Sequence, residues 1–196
     1  MHQLVLASES PRRKQLLEEA GFSFSVFPVK VSEYLEKNLN TDAAIIAIAK
    51  EKAEAAMQTY KPLNLHNYLI LAADTLVILG DQILGKPKNS TEAQQMLSML
   101  SGQEHQVKTA IYLIESSTKK VSFGIETTKV KFKKINLEEI QSYIETGEPF
   151  GKAGSYAIQG IAKKFVDSTN GPYDNVVGLP IDLLKKLLAE NNWNIK

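Results

Sequence analysis

Apolar residues along this chain recur with two periods, about 2 and about 3.6, and the alternation predicts the elements in order. Residues 4–7 form a short apolar run of strand type. Residues 8–10 turn, Pro11 suits the first position of a helix capped by Ser10, and Gly21 ends that helix after an inner face of Leu16, Leu17 and Ala20. Residues 22–29 place Phe22, Phe24 and Val26 on one side, so a strand is expected. A long helix starts at Thr41-Asp42 and reaches Tyr60. Residues 69–79, the most apolar segment, have the length and flanks of a central strand. Gly80-Asp81 then supplies a hairpin turn to a return strand ending at Gly85-Lys86-Pro87.

Further on, Asn89 or Ser90 caps a helix bearing Met96, Leu97 and Leu100, stopped by Gly102. Residues 106–114 and 121–132 are expected as strands joined by a polar hairpin loop. Asn136 with Glu139 forms a capping box for a helix ending at Gly147. A glycine-rich stretch over 148–160 leads into a strand, Phe165-Val166 and an Asn170-Gly171 turn follow, and an amphipathic helix spans 181–190. Strands and helices mix without strict alternation. An α/β or α+β layered fold on a mixed sheet follows.

The places where this patterning fails are the candidate chemistry. Arg12 and Arg13 lie in the first turn of their helix, where cations oppose the dipole and an anion would offset them. A strand feeding a helix N-terminus through a serine-rich turn is an anion site by construction, and a polyphosphate would take bidentate bonds from the arginines. The competing reading is an ordinary capped helix with two solvated arginines. Lys52 falls in the middle of the apolar face formed by Ile45, Ile48, Ala49, Ala53 and Ala56, so it either snorkels outward or reaches a negative group inside a cleft. Asp74-Thr75 interrupts the 69–79 run, and a carboxylate there needs a cation, a metal or hydrogen bonds. Lys86, before Pro87, could point into a pocket or stand exposed. Within 121–132 the apolar residues change phase at 126–129, which implies a bulge or a strand that serves two surfaces in turn.

Composition narrows the options. At 196 residues the chain suits one domain of above-average size or two lobes sharing a core, and no Pro- or Gly-rich linker divides it. A net charge of +1 gives no global attraction to nucleic acid or membrane, so phosphate affinity must be local. The absence of cysteine excludes disulfides, thiolate metal sites and a thiol nucleophile. Three histidines, His2, His66 and His105, lack metal-ligand spacing, so a metal would be held by oxygen ligands and would be magnesium or manganese. With no signal-peptide pattern and no membrane-spanning run, an intracellular soluble protein is expected.

The motifs assembled in order are Ala-Ser-x-Ser-Pro-Arg-Arg (7–13), Glu33, Glu-Lys-Ala (51–53), Ala-Ala-Asp-Thr (72–75), Gly-Lys-Pro (85–87), Ser-Gly-x-x-His-x-Val (101–107), Gly-x-Tyr-x-Ile-Gln-Gly (154–160) and Asn-Val-Val-Gly-Leu-Pro (175–180). Together they resemble the Maf family over essentially the whole chain. The resemblance implies a single Maf-like domain over 1–196, with a Maf/ITPase-like elongated mixed sheet flanked by helices and a nucleotide cleft between two lobes. It also implies a cytoplasmic nucleoside triphosphate pyrophosphatase that uses a divalent metal cation.

Carried onto this chain, the family's opening motif falls on Ser8, Ser10, Arg12 and Arg13, which would grip phosphates. The catalytic aspartate falls on Asp74 as proton acceptor, Glu33 would assist the metal or the water, and Asp74 with Glu33 would hold the metal. Lys52 and Lys86 would bind triphosphate charge, with Lys52 counted among the catalytic groups. The positions that sort members by base fall on Arg12, Thr75 and Gln159, and Asp-Thr with Ile-Gln-Gly resembles the branch acting on dTTP and UTP. An amide offers a donor and an acceptor, matching O4 and N3–H of a uracil-type edge, whereas a carboxylate only accepts. Two departures stand out: Gly151 replaces an aspartate of many relatives, and Glu9 adds negative charge to the phosphate turn. The expected partner is the nucleoside triphosphate, without nucleic acid or membrane and with a homodimer left open. A nucleotidase or general phosphatase, and a non-catalytic nucleotide-binding regulator of septum formation, are the rival readings. Tyr156 and Phe165 could stack on a base, with core packing the expected fate of either.

Overall fold

A computed structural model describes residues 1–31, 40–60 and 67–195. Among the described residues seven strands form one mixed sheet, and they are β1 (Gln3–Leu6), β2 (Phe24–Val26), β3 (Tyr68–Leu79), β4 (Gln82–Leu84), β5 (Glu104–Glu115), β6 (Val121–Phe132) and β7 (Val166–Asn170). Their order is β2-β1-β3-β5-β6-β7, with β4 pairing β3 off this path. The helices are α1 (Pro11–Glu19), α2 (Thr41–Thr59), α3 (Ser90–Leu100), α4 (Leu137–Glu145), α5 (Tyr173–Val177) and α6 (Ile181–Glu190). Parallel pairs β1–β2 and β1–β3 coexist with antiparallel pairs β3–β4 and β6–β7, so the mixed α/β class read from the sequence is the observed one.

The helix starts are written locally. Ser10, Asn40, Asn89 and Asn136 each accept a hydrogen bond from the backbone N–H three residues on, and Glu139 returns the bond to the Asn136 N–H at 3.0 Å. Two expectations need correction. The strand expected over 22–29 shortens to Phe24–Val26. The glycine-rich stretch does not become a strand by residue 160; it coils through two 3-10 turns, Ala153–Ser155 and Ile161–Phe165. The cause is backbone: Gly154 and Ser155 sit at φ 66° and 63°, a left-handed conformation no strand tolerates.

The chain divides into two compact units. The first comprises Met1–Asp74, Thr109–Glu126 and Gly178–Lys196. Its core is aliphatic, built on Leu4, Leu6, Leu17, Ile45, Leu69 and Leu71, all fully buried. The second comprises Thr75–Lys108 and Thr127–Val177. Its core is aromatic: the Phe132 ring meets His105 at 5.0 Å and Tyr156 at 4.9 Å, and Tyr143 meets Phe165 at 5.3 Å. Tyr156 and Phe165 are thus core residues, 5% and 2% exposed. The phase change in β6 coincides with this division. The strand runs unbroken through 126–129, and the first unit's share ends at Glu126 while the second begins at Thr127. Thr128, Val130 and Phe132 in the second half of β6 are buried, whereas the early apolar residues Val121 and Phe123 are exposed, so only the later phase faces a core.

Candidate active site

In the first unit, β1 leaves the sheet at Leu6, whose register partner on the parallel neighbour β3 is Leu71. The Ala7 N–H still donates to the Leu71 carbonyl at 2.8 Å, and beyond that rung the two strands diverge in role. β1 turns at Ser8 into α1, while β3 continues through Ala72 and Ala73 to Asp74. Ends of adjacent parallel strands are where α/β sheets hold ligands.

The turn is tightly wired. Ser8, 7% exposed, accepts at Oγ from the Ser10 N–H at 3.2 Å and from Arg13 Nη1 at 3.3 Å. Ser10 caps α1, and Pro11 at the first position leaves no N–H there to satisfy. No acidic residue occupies the first turn of α1, where the charges of Arg12 and Arg13 oppose the dipole. Arg13 Nε donates to the Gly178 carbonyl at 2.8 Å, which fixes the guanidinium plane. Sequence reasoning singled out the stretch carrying Gly178 but gave its carbonyl no task, because the two residues are 165 positions apart.

Lys52 and Asp74, each anomalous in its own apolar stretch, meet one another. Lys52 Nζ donates to Asp74 Oδ1 at 2.6 Å, and the two side chains are 11% and 9% exposed. The alanines Ala49, Ala53 and Ala56 flank Lys52 on the buried face of α2, so the lysine does not snorkel to solvent. The pair supplies a carboxyl group fixed in orientation and nearly water-free, placed to accept a proton from one well-placed water.

The remaining expected positions distribute as follows. Arg12 is half-buried in the first turn of α1, and Thr75 follows Asp74 on β3, half-buried, as the first residue of the second unit. Lys86 and Gln159 are exposed in the second unit. The Gly154 N–H donates to the Gly85 carbonyl at 3.0 Å, so the turn bearing Lys86 and the segment leading to Gln159 are held together there. Glu33 lies outside the described residues. Among the described residues no group of three or more His, Cys, Asp or Glu side chains converges to hold a metal. A hard divalent cation that keeps several waters and binds through one or two carboxylates plus substrate phosphates needs no such cluster, and the buried Asp74 carboxyl is of the oxygen-donor type it would use.

Other motif residues prove structural. Asn175, fully buried on α5, donates from Nδ2 to the Val107 carbonyl at 2.9 Å and to Thr128 Oγ1 at 3.0 Å, tying α5 to β5 and β6. His105 shares a 2.8 Å hydrogen bond through Nε2 with the Tyr156 hydroxyl, and burial pushes its imidazole down to about 4. Burial likewise raises the Tyr156 phenol.

A family model described as Maf-like protein matches residues 3–191. The chain belongs to the Maf family. This Maf chain is 53% identical over 187 residues to a dTTP/UTP pyrophosphatase of Bdellovibrio bacteriovorus, covering 95% of this chain and 97% of that one. It is 43% identical over 188 residues to the dTTP/UTP pyrophosphatase of Desulforamulus reducens, with 96% of each chain covered. The dTTP/UTP pyrophosphatase of Ruminiclostridium cellulolyticum is 42% identical over 197 residues, covering 100% of this chain and 99% of that one.

Proposed function

We propose that this Maf chain hydrolyses dTTP and UTP to the nucleoside monophosphate and pyrophosphate. The chemistry rests on one observation, the buried Lys52–Asp74 pair at 2.6 Å on the strand next to the arginine-bearing turn. Water attacks the α-phosphorus, the bond from that phosphorus to the bridging oxygen of the β-phosphate breaks, and pyrophosphate leaves. Asp74 takes the proton from the attacking water, and Lys52 holds its carboxylate in line. Arg13, braced on Gly178 and Ser8, and Arg12 take triphosphate oxygens together with the hydroxyls of Ser8 and Ser10. Lys86 adds a cation, and Thr75, Gln159 and Arg12 select the base, with the Gln159 amide pairing a uracil-type edge.

A divalent cation, magnesium or manganese, would take Asp74 and Glu33 as its carboxylates and neutralise charge on the phosphates when bound. The reaction belongs in the cytoplasm, with the nucleotide pool. No described helix is long and apolar enough to cross a membrane.

The test is a nucleotide panel with magnesium and then manganese, with pyrophosphate and orthophosphate counted separately. dTTP and UTP should yield pyrophosphate and monophosphate in equal amounts. Asp74→Asn should lower turnover by about a thousandfold or more while the fold persists by circular dichroism. Orthophosphate as the main product, or near-normal turnover in Asp74→Asn, overturns the proposal. Saturable nucleotide binding without hydrolysis would mark a regulator instead.

A further inference from the structure

Gln159 is exposed, yet the chain on both sides of it is tied down. Three residues upstream, Tyr156 is buried with its hydroxyl on His105 and its ring edge-on to Phe132. Before it, Ser155 is fully buried at φ 63°, a strained conformation for a non-glycine residue, and its Oγ contacts Met96 Sδ at 3.1 Å. Downstream, the Gly160 N–H turns back to the Ala157 carbonyl at 3.0 Å. The next two N–H groups both go to a single carboxylate: Ile161 donates to Glu148 Oε2 at 3.0 Å and Ala162 to Glu148 Oε1 at 3.4 Å. The buried Tyr143 hydroxyl donates to the same Oε1 at 2.9 Å.

Glu148 thus receives three donors, and its own carbonyl accepts from Lys152 Nζ at 2.5 Å, so the segment is fixed where it begins and where it ends. An ordinary cap for the 161–165 turn would come from the residue just before it. That residue is Gly160, and a Cβ there would collide with the Glu148 carboxylate, so the glycine makes room for an acceptor from 13 residues upstream. The loop closed in this way carries one exposed amide, that of Gln159.

We propose that Glu148 is a positioning residue for Gln159, setting the amide against the nucleobase, so that preference for a pyrimidine triphosphate depends on a side chain that does not touch it. This rests on the base-reading role assigned to Gln159 above. A selective site must hold its reading group within about 0.5 Å, and an exposed glutamine with rotatable bonds meets that only if its backbone is fixed.

The experiment measures kcat and KM for UTP and GTP on the full-length chain. The variants are Glu148→Ala, Glu148→Gln, Tyr143→Phe, Gln159→Ala and the double variant Glu148→Ala/Gln159→Ala, with thermal melts for each. Glu148→Ala should cut the UTP-over-GTP ratio of kcat/KM about tenfold, chiefly through KM for UTP, as expected for one misplaced hydrogen-bond pair. Glu148→Gln, which keeps one acceptor oxygen, should restore part of the ratio, and Tyr143→Phe should lower it by less. The double variant should be no less selective than Gln159→Ala alone, because the two act through one contact. A lowered melting temperature with the ratio unchanged within about twofold overturns the proposal, as do multiplying effects in the double variant. If Glu148→Ala fails to fold, unchanged ratios in Glu148→Gln and Tyr143→Phe overturn it equally. If Gln159→Ala alone leaves the ratio unchanged, the base-reading role itself falls, an outcome distinct from Gln159 mattering while Glu148 does not.

Discussion

The two units fix their key side chains by opposite means. In the first, the important group is itself buried, and Asp74 is held directly by the charge of Lys52 at 2.6 Å. In the second, Gln159 stays exposed, and order is imposed on its neighbours by uncharged donors converging on Glu148 and by a Tyr156–His105 hydrogen bond. A base that moves a proton gains from exclusion of water and from a strong local field. A group that reads an edge must remain reachable, so its rigidity has to come from the backbone. On the proposed roles of Asp74 and Gln159, charge serves the first task and loop closure the second.

The sharpest way to break this contrast is at the ion pair. Lys52→Met leaves a carboxylate buried without its cation and should cost about 3–5 kcal/mol by urea denaturation, whereas Lys52→Met with Asp74→Leu should recover most of the loss. Equal costs for the single and double variants would show that the pair does not hold Asp74. The second unit should answer to pH instead. His105 titrates near 4 in the fold because it is buried, against about 6.5 in the unfolded chain. The unfolded state therefore binds its proton first. Stability is complete above about pH 6.5 and falls as the pH drops toward about 4, a swing of about 3 kcal/mol. His105→Gln should flatten this part of the profile, measured by denaturation at stepped pH, while Lys52→Met should not.

A smaller effect is expected at the turn. Arg13→Lys cannot make the bonds to Gly178 and Ser8 together, and should raise KM for the triphosphate about tenfold with little change in the melting temperature. The smallest belongs to Lys50, two residues from Lys52 but half-exposed and 3.7 Å from Glu54. Lys50→Ala should shift stability by less than about 0.5 kcal/mol. A larger change would mean that helix position, rather than burial, sets what a lysine on α2 contributes.

How much of this was legible in the sequence follows from the range of each interaction. The capping box at Asn136 and Glu139, the serine turn into Pro11 and the buried stripe of α2 are local, and they appear as read. Lys52 and Asp74 each violated a pattern, so both were visible as anomalies, but nothing in the spacing says that each is the other's answer. The coiled path from Gly154 to Phe165 was missed because Tyr156, Ala157 and Ile158 have strand composition, and only the left-handed Ser155 and the far carboxylate of Glu148 impose the turns. The short α5 went unread since five residues hold too little periodicity to register. His105 was seen as part of a motif, while its partner Tyr156 lies 51 residues on.

The bond from Arg13 to the Gly178 carbonyl also bears on how the protein is made. As the chain is made, Arg13 waits for a carbonyl that is synthesised 165 positions later. A nascent or prematurely terminated polypeptide that stops short of Gly178 therefore carries the serine–arginine turn without its brace. On the proposed phosphate role, competence to grip the ligand arrives only once Gly178 has been made, and damage at that carbonyl loosens a turn far upstream.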